Sequence, residues 1–246
     1  MIKADSPTSF PETRWSVILD ARAKGDEVRA SRALQEVCAS YWRPLYAYAR
    51  MLGNPPQDSE DLTQSFFERF LEYDLISNVC AERGRMRTYL LSCFVNHVRN
   101  IHRVKLAQRR GGGITPLPMT GILEVEREID VSASLALSPD QIYDRQCALA
   151  LVDDVLREIE SEQTKAGRGD IFQALKPLLD PNRTQMCSLE EIAMELGISN
   201  GALRSAVMRL RRRFREIARS LVSQTLHSPN DQEIDEELMW LRQSLE

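Results

Sequence analysis

The spacing of apolar residues limits the fold of this 246-residue chain more than any other feature does. From Leu203 to Leu221, apolar side chains recur at alternating steps of four and three residues, which places them on one face of an α-helix. Comparable spacing appears around residues 62–71, 89–101 and 141–159, and no convincing series of strands interrupts it. The pattern therefore predicts an all-α fold.

Glycine and proline divide the helical pattern into two parts. A glycine triplet at 111–113 must end any preceding helix, and the residues that follow are rich in proline and serine, as is typical of a linker. The sequence thus predicts two helical domains joined by a flexible linker. The first domain covers residues 1–110, the linker 111–140 and the second domain 141–226, and an acidic tail follows over 227–246.

Charge is segregated along the chain, although the formal net charge is only −4. Residues 83–110 hold seven Arg and one Lys without an acidic residue, and residues 204–219 hold seven Arg against Glu216. Local positive charge of this kind is the electrostatic footprint of a nucleic-acid contact, and the total charge says little about it. We therefore expect two basic faces that meet phosphates, with acidic residues concentrated elsewhere, especially over 231–237.

The cysteines and several missing motifs narrow the function class. The five cysteines are scattered without CxxC spacing, which argues against a disulfide framework or a zinc module and favours a reducing cytoplasm. No signal segment and no apolar run near the roughly 18 residues of a membrane helix is found, so no membrane contact is expected. No Gly-rich phosphate loop, nucleophile elbow or paired catalytic carboxylates stand out, so we expect neither an enzyme nor a cofactor.

A metal site is not expected either. Cys93 and His97 share a helical face, with His102 close by, but the sequence offers no third and fourth ligand. Positions in a helical core or at its rim explain these side chains more simply.

A helix-turn-helix arrangement is predicted over residues 188–221. Ser188 and Glu191 have the spacing of a capping box that begins a short helix. Gly197 can adopt the positive φ of a sharp turn, and Ser199 can cap a second, basic helix. A short helix, a three-residue turn and a basic second helix form the arrangement that places the second helix in the major groove of DNA.

The second helix carries polar and basic residues opposite its apolar spine. Arg204 is the strongest candidate for reading a base because it lies in the first turns, whereas residues 211–213 lie further along and are expected to hold phosphates. The alternative is an ordinary helical hairpin with a solvated Arg-rich face. The predicted contacts with duplex DNA are Asn200, Ala202, Arg204, Ser205, Met208, Arg209, Arg211 and Arg212.

The other basic block forms an amphipathic helix of its own around residues 86–103. Asn96, Arg99, Asn100 and Arg103 recur at steps of three and four residues and should share one face. Asn amides can pair with the edge of an unstacked base, and Arg can hold phosphate or stack, which suits the capture of an extruded base. The alternative is that these are only polar groups on a helix surface.

Two parts of the chain resemble bacterial sigma factors, the subunits that direct RNA polymerase to promoters. Residues 191–205, followed by 209–213, are similar to region 4, which reads the −35 element. Residues 41–50 and 59–71 resemble the first half of region 2, and residues 86–100 resemble its second half, which captures the melted −10 element. The resemblance covers roughly residues 30–110 and 141–225, and the combination of regions 2 and 4 without a region 3 domain is typical of the extracytoplasmic-function group.

The resemblance implies a sigma factor that directs promoter recognition and transcription initiation. Its implied partners are core RNA polymerase and promoter DNA, with an anti-sigma factor as a further candidate. The helix over 59–72 would dock on the coiled coil of the largest polymerase subunit, with Phe67 as an anchor off the core stripe of Phe66 and Phe70 unless all three rings are internal. The implied polymerase contacts are Asp61, Leu62, Gln64, Phe67 and Glu68.

Some segments lie outside the resemblance and leave alternatives open. They are the N-terminal extension around Trp15, the long segment 170–181 and the acidic tail. The tail could compete with DNA for a basic face, or it could pack through Leu238, Trp240 and Leu241. Alternative functions for the whole chain are a stand-alone helix-turn-helix regulator and a protein-interaction adaptor whose Arg faces bind acidic partners.

Overall fold

In the computed structural model, the described residues are 25–72, 85–108, 137–179, 189–226 and 229–246, and every regular element within them is a helix. The prediction of an all-α fold is confirmed for these residues. The helices are α1 (Glu27–Met51), α2 (Pro56–Glu72), α3 (Met86–Gln108), α4 (Pro139–Lys165), α5 (Gly169–Leu175), a 3-10 turn (Lys176–Leu178), α6 (Leu189–Glu195), α7 (Asn200–Ser223) and α8 (Asp231–Gln243). The expectations for the Trp15 helix, for the linker over 111–136 and for Ser188 lie outside the described residues.

Helices α1, α2 and α3 pack around a core of aromatic and aliphatic side chains. Phe66 from α2 and Phe94 from α3 meet edge to face with ring centroids 5.3 Å apart, and Tyr48 from α1 approaches Phe94 in the same way at 6.2 Å. Leu45 and Leu90 are fully buried beside them. Edge-to-face contacts add to the stabilisation that burial of the rings provides, so this part of the chain has its own apolar centre.

Helix α4 belongs to both of the larger cores. Its first half places Tyr143, Cys147 and Ala148 in the core formed with α1 and α3. Its second half places Val155 and Ile159, both fully buried, in a core shared with α5, α6 and α7. Residues 111–136 of the predicted linker are not described, so the two-domain arrangement stays a prediction. The predicted end of the linker at residue 140 is wrong, because Ser138 caps α4 and the helix begins at Pro139. Helices α1 and α4, from the two predicted domains, are in direct contact.

The C-terminal segment is a packed helix. An Asn230 cap and Glu233 form a capping box at its start, with the Glu233 amide 2.9 Å from the Asn230 side chain. Ile234 and Leu241 are buried, and α8 contacts both α4 and α7. Of the two roles left open for the acidic tail, the contacts support packing.

No helix among the described residues is both long enough and apolar enough to span a membrane.

The packing of α8 predicts that substitutions at two nearby positions change the free energy of unfolding by very different amounts. Leu241 is 8% exposed and Met239 is 58% exposed on the same helix. We expect Leu241→Ala to lower the free energy of unfolding by about 2–5 kcal/mol, because it removes buried methyl groups and leaves a cavity. Met239→Ala should change it by no more than about 0.5 kcal/mol. Urea unfolding checks both, and equal effects would show that α8 is not packed in solution.

Candidate nucleic-acid interface

The turn between α6 and α7 is built from a left-handed glycine and two hydrogen bonds. Gly197 has φ of +63°, a conformation that L side chains rarely adopt. The amide of Ile198 donates to the Ala193 carbonyl at 3.0 Å, and the amide of Gly197 donates to the Met194 carbonyl at 3.2 Å. This pair of bonds is a Schellman motif, which ends α6 and redirects the chain. The predicted glycine turn is thereby confirmed.

Helix α7 begins as predicted at a serine cap. The Ser199 side chain accepts a hydrogen bond from the Ala202 amide at 3.2 Å. Leu203, Val207 and Leu210 are then buried in the same core as Ile192 of α6. Because these apolar residues fix one side of α7 against the protein, the opposite side must face solvent.

The predicted duplex-DNA residues all lie on the solvent side of α7. All of them are exposed, and Met208 is 67% exposed although it is a large apolar side chain. The exposed residues are Asn200, Ala202, Arg204, Ser205, Met208, Arg209, Arg211 and Arg212. The surface thus combines hydrogen-bond donors, guanidinium groups and an apolar side chain, which are the kinds of group that can contact base edges.

The arginines of α7 differ in how far acidic neighbours engage them. Arg204 and Arg209 have no ion-pair partner among the described residues. Arg212 contacts Glu216 at 3.0 Å, and Arg213 Nε lies 2.9 Å from Glu162 of α4. The hydrogen bond from Arg213 is the main cause of a lowered pKa for Glu162. Arg213 is therefore used to hold α7 on α4, which leaves the start of α7 as the accessible basic end.

A second polar and basic surface lies on α3. Asn96, Arg99, Asn100 and Arg103 are all exposed, whereas Phe94 and other apolar residues of the helix are buried on the other side. No carboxylate pairs with Arg99 or Arg103 within the described ranges. The predicted shared face therefore exists and carries two amides beside two guanidinium groups.

The predicted polymerase-contact residues of α2 divide into two sets. Asp61, Gln64 and Glu68 are exposed, and the Gln64 amide donates to Glu68 at 3.0 Å. Leu62 and Phe67 are buried, at 5% and 6% exposure. The expectation of Phe67 as an exposed anchor is wrong for this structure, because its ring packs against Phe66 with centroids 5.2 Å apart. The predicted contact residues of α2 that remain accessible are therefore acidic or polar.

His97 of α3 is buried and contacts α2 from within the core. It is 7% exposed, its Nε2 lies 3.0 Å from Ser65 Oγ, and its ring meets the Phe66 ring. Burial, followed by the charge of Arg69, lowers the pKa of His97. Within the described residues, no three His, Cys, Asp or Glu side chains are grouped as metal ligands would be.

The sequence did not point to a cluster of buried charges around Glu237 of α8. Glu237 is 2% exposed and accepts from Arg87 Nε at 2.6 Å, while its other oxygen lies 2.7 Å from Arg85 Nε. Arg87 also reaches Asp144 of α4 at 3.3 Å and lies over the Trp240 ring, 3.3 Å from its centroid. Burial outweighs the attraction of Arg87 and raises the pKa of Asp144 to about 6. Two arginines of the first basic block are thus paired with a buried carboxylate, although Arg85 stays partly exposed.

A local signal for α8 was present in the sequence. Asn230 and Glu233 have capping-box spacing, and Ile234, Leu238 and Leu241 follow at steps of four and three residues. These features predict an amphipathic helix, although they do not reveal its partners Arg85 and Arg87.

Comparisons with protein-family models, with curated proteins and with solved structures each gave no match to this chain.

The buried position of His97 predicts a pH effect on stability. A His that is harder to protonate in the folded state than in the unfolded state stabilises the fold above the unfolded pKa of about 6.5, and that contribution is lost as pH falls below it. Asp144, whose pKa is raised to about 6, changes stability in the opposite direction over this range, so the comparison with a variant isolates His97. Between pH 7.5 and pH 5.5 the urea midpoint should fall further, or rise less, in the wild type than in His97→Gln, whose amide can still meet Ser65. An identical change in both proteins would show that His97 titrates freely in the folded state.

Proposed function

We propose that this chain is an RNA polymerase sigma factor of the extracytoplasmic-function type, acting in the cytoplasm to direct promoter recognition and initiation. In this proposal residues 1–110 act as region 2, residues 141–226 act as region 4, and residues 111–140 link them. The observation that carries the proposal is the presence of two exposed Asn and Arg surfaces on one chain. One lies on the second helix of a helix-turn-helix, and the other lies on α3.

The α7 surface suits duplex DNA. In a helix-turn-helix, the start of the second helix faces base edges in the major groove. Arg204 is exposed there, and Arg can donate two hydrogen bonds to guanine. The apolar side chain of Met208 one turn later can contact a thymine methyl group. The −35 element is the duplex that this surface would read.

The α3 surface suits single-stranded DNA. Asn96 and Asn100 are one turn apart, and each amide can pair with an exposed base edge, while Arg99 and Arg103 can hold the adjacent phosphates. A regulator that binds only duplex DNA needs no such surface, whereas a sigma factor needs one for the melted −10 element. This second surface favours the sigma-factor proposal over a stand-alone regulator.

The acidic surface of α2 supports a polymerase-docking role. Asp61 and Glu68 are exposed on α2, on the outside of the same core that supports α3. Docking there would bring polymerase close to the helix proposed to capture the melted strand. Core RNA polymerase and promoter DNA are therefore the proposed partners, and an anti-sigma factor that covers either surface would fit them as well.

Binding to core RNA polymerase tests the proposal. Tagged chain should retain purified core polymerase, and Asp61→Lys should weaken retention about tenfold, because it reverses a charge on the proposed interface. Glu158→Lys makes the same charge change at an exposed position of α4 and should leave retention unchanged. A chain that binds duplex DNA specifically but never retains core polymerase would instead be a stand-alone regulator.

Two arginines of α7 should have separable effects on DNA. Arg204→Ala should relax the base preference at one position of the −35 element, since a bidentate Arg–guanine contact discriminates by about 1–3 kcal/mol. Arg212→Ala should weaken all promoters alike and reduce the slope of log affinity against log salt by about one. Transcription from a randomised −35 library checks both, and unchanged base preferences in Arg204→Ala would place this residue away from the bases.

A further inference from the structure

A cavity of about 440 Å³ lies where α4, α7 and α8 meet. This volume falls within the range of about 300–1,000 Å³ that is typical of sites for small molecules. Apolar side chains form most of its lining, with Leu151 from α4, Phe214 from α7, and Leu238 and Leu245 from α8 and the residues that follow it. Small-molecule sites usually combine such a lining with a few polar groups that fix the orientation of the ligand.

Several apolar side chains of this lining are only half-buried. Leu151, Leu238 and Leu245 each pack against both of the larger cores, and each still keeps part of its surface accessible. Phe214 is half-buried in the same way, and Met239, which also lines the cavity, is 58% exposed. A ligand that removes this apolar surface from water lowers the free energy of the protein. The cavity therefore favours a ligand with an apolar body.

The charged side chains that line the cavity are three arginines and one aspartate. Arg219 pairs with the aspartate, Asp235. Arg242 lies 3.5 Å from Glu246, but an exposed ion pair of this kind contributes little stability and can exchange for another anion. Arg215 is exposed and pairs with no carboxylate within the described part of the chain. Because a guanidinium group can bind a carboxylate through two parallel hydrogen bonds, the charges favour an anionic head group.

We propose that this cavity binds a small apolar carboxylate of the medium-chain fatty-acid class. The alkyl chain would lie against Phe214 and the leucines, and the carboxylate would meet Arg215. A medium chain is favoured over a long one because the volume of about 440 Å³ is in the lower half of the range for small-molecule sites. The cavity contains none of the residues of either proposed DNA surface, so its ligand can be tested without DNA or polymerase.

Binding of decanoate to the full chain, below the concentration at which decanoate forms micelles, tests the proposal. Isothermal titration calorimetry should show saturable binding with one-to-one stoichiometry. Arg215→Glu should weaken binding about tenfold, because it reverses the charge beside the head group. Arg209→Glu is the matched control, since it makes the same charge change at an exposed position of the same helix that does not line the cavity. This control should bind decanoate as the wild type does.

Two further measurements examine the apolar part of the site and the sign of the charge. Ala218 lines the cavity and is 5% exposed, so Ala218→Leu places a larger side chain where the ligand would lie and should abolish binding with unchanged helical circular dichroism. Decyltrimethylammonium, which has the same alkyl chain and the opposite charge, should bind the wild type at least about tenfold more weakly than decanoate does. If Ala218→Leu does not fold, the comparison at the exposed Arg215 still decides.

Several results would overturn the proposed site. Absence of saturable binding, or equal weakening by Arg215→Glu and Arg209→Glu, would show that decanoate has no specific site in the cavity. Equal affinities for decanoate and decyltrimethylammonium would show that the alkyl chain only adsorbs to apolar surface. In sedimentation equilibrium, a dimer that Met239→Lys dissociates and decanoate does not would show that a second copy of the chain covers the cavity instead.

Discussion

The two larger cores share helix α4, and this sharing constrains where the other helices can pack. A helix of 27 residues is about 40 Å long, so its two ends can serve separate clusters. Tyr143 near its start is fully buried among residues of α1 and α3, and Ile159 near its end is fully buried among residues of α5, α6 and α7. The helix-turn-helix is therefore positioned by the same rod that supports the N-terminal helices.

This arrangement of helices determines which charged side chains are paired and which are exposed. Arginines that face α4 or α8 form ion pairs with carboxylates, as Arg213 does with Glu162 and Arg87 does with Glu237. Within the described part of the chain, Arg204 and Arg209 on the outer side of α7 pair with no carboxylate, and neither do Arg99 and Arg103 of α3. Burial of a charged group is costly unless the group is paired. The unpaired basic groups therefore lie on two solvent-facing surfaces, where they can meet phosphates.

Local chemistry was enough to predict the helix-turn-helix. Gly197 and Ser199 act through bonds to residues a few positions away, and the exposure of Arg204 follows from the spacing of Leu203 and Val207. The exposed surface of α3 was predictable for the same reason. These features depend on periodicity and on turn chemistry, which the order of residues records directly.

Contacts between distant segments were not predictable in this way. Arg87 and Glu237 are 150 positions apart, and no local pattern links them. The acidic composition of residues 231–237 left two roles open for the tail, competition for a basic face and packing through Leu238, Trp240 and Leu241, and the helix that Asn230 caps was not predicted. Phe67 was wrongly predicted to be exposed, because a single apolar stripe on α2 was taken as its buried face. The packing of α1, α2 and α3 buries a wider arc of α2, and that arc includes Phe67.

Promoter-dependent transcription tests the central proposal most directly. Purified core RNA polymerase, with and without the chain, would be supplied with a pool of genomic fragments, and run-off transcripts would be sequenced together with permanganate mapping of unpaired thymines. A sigma factor should give discrete transcripts that require the chain, with melting just upstream of each start. Transcripts that are the same with and without the chain, although the chain still binds specific duplexes, would contradict the proposal.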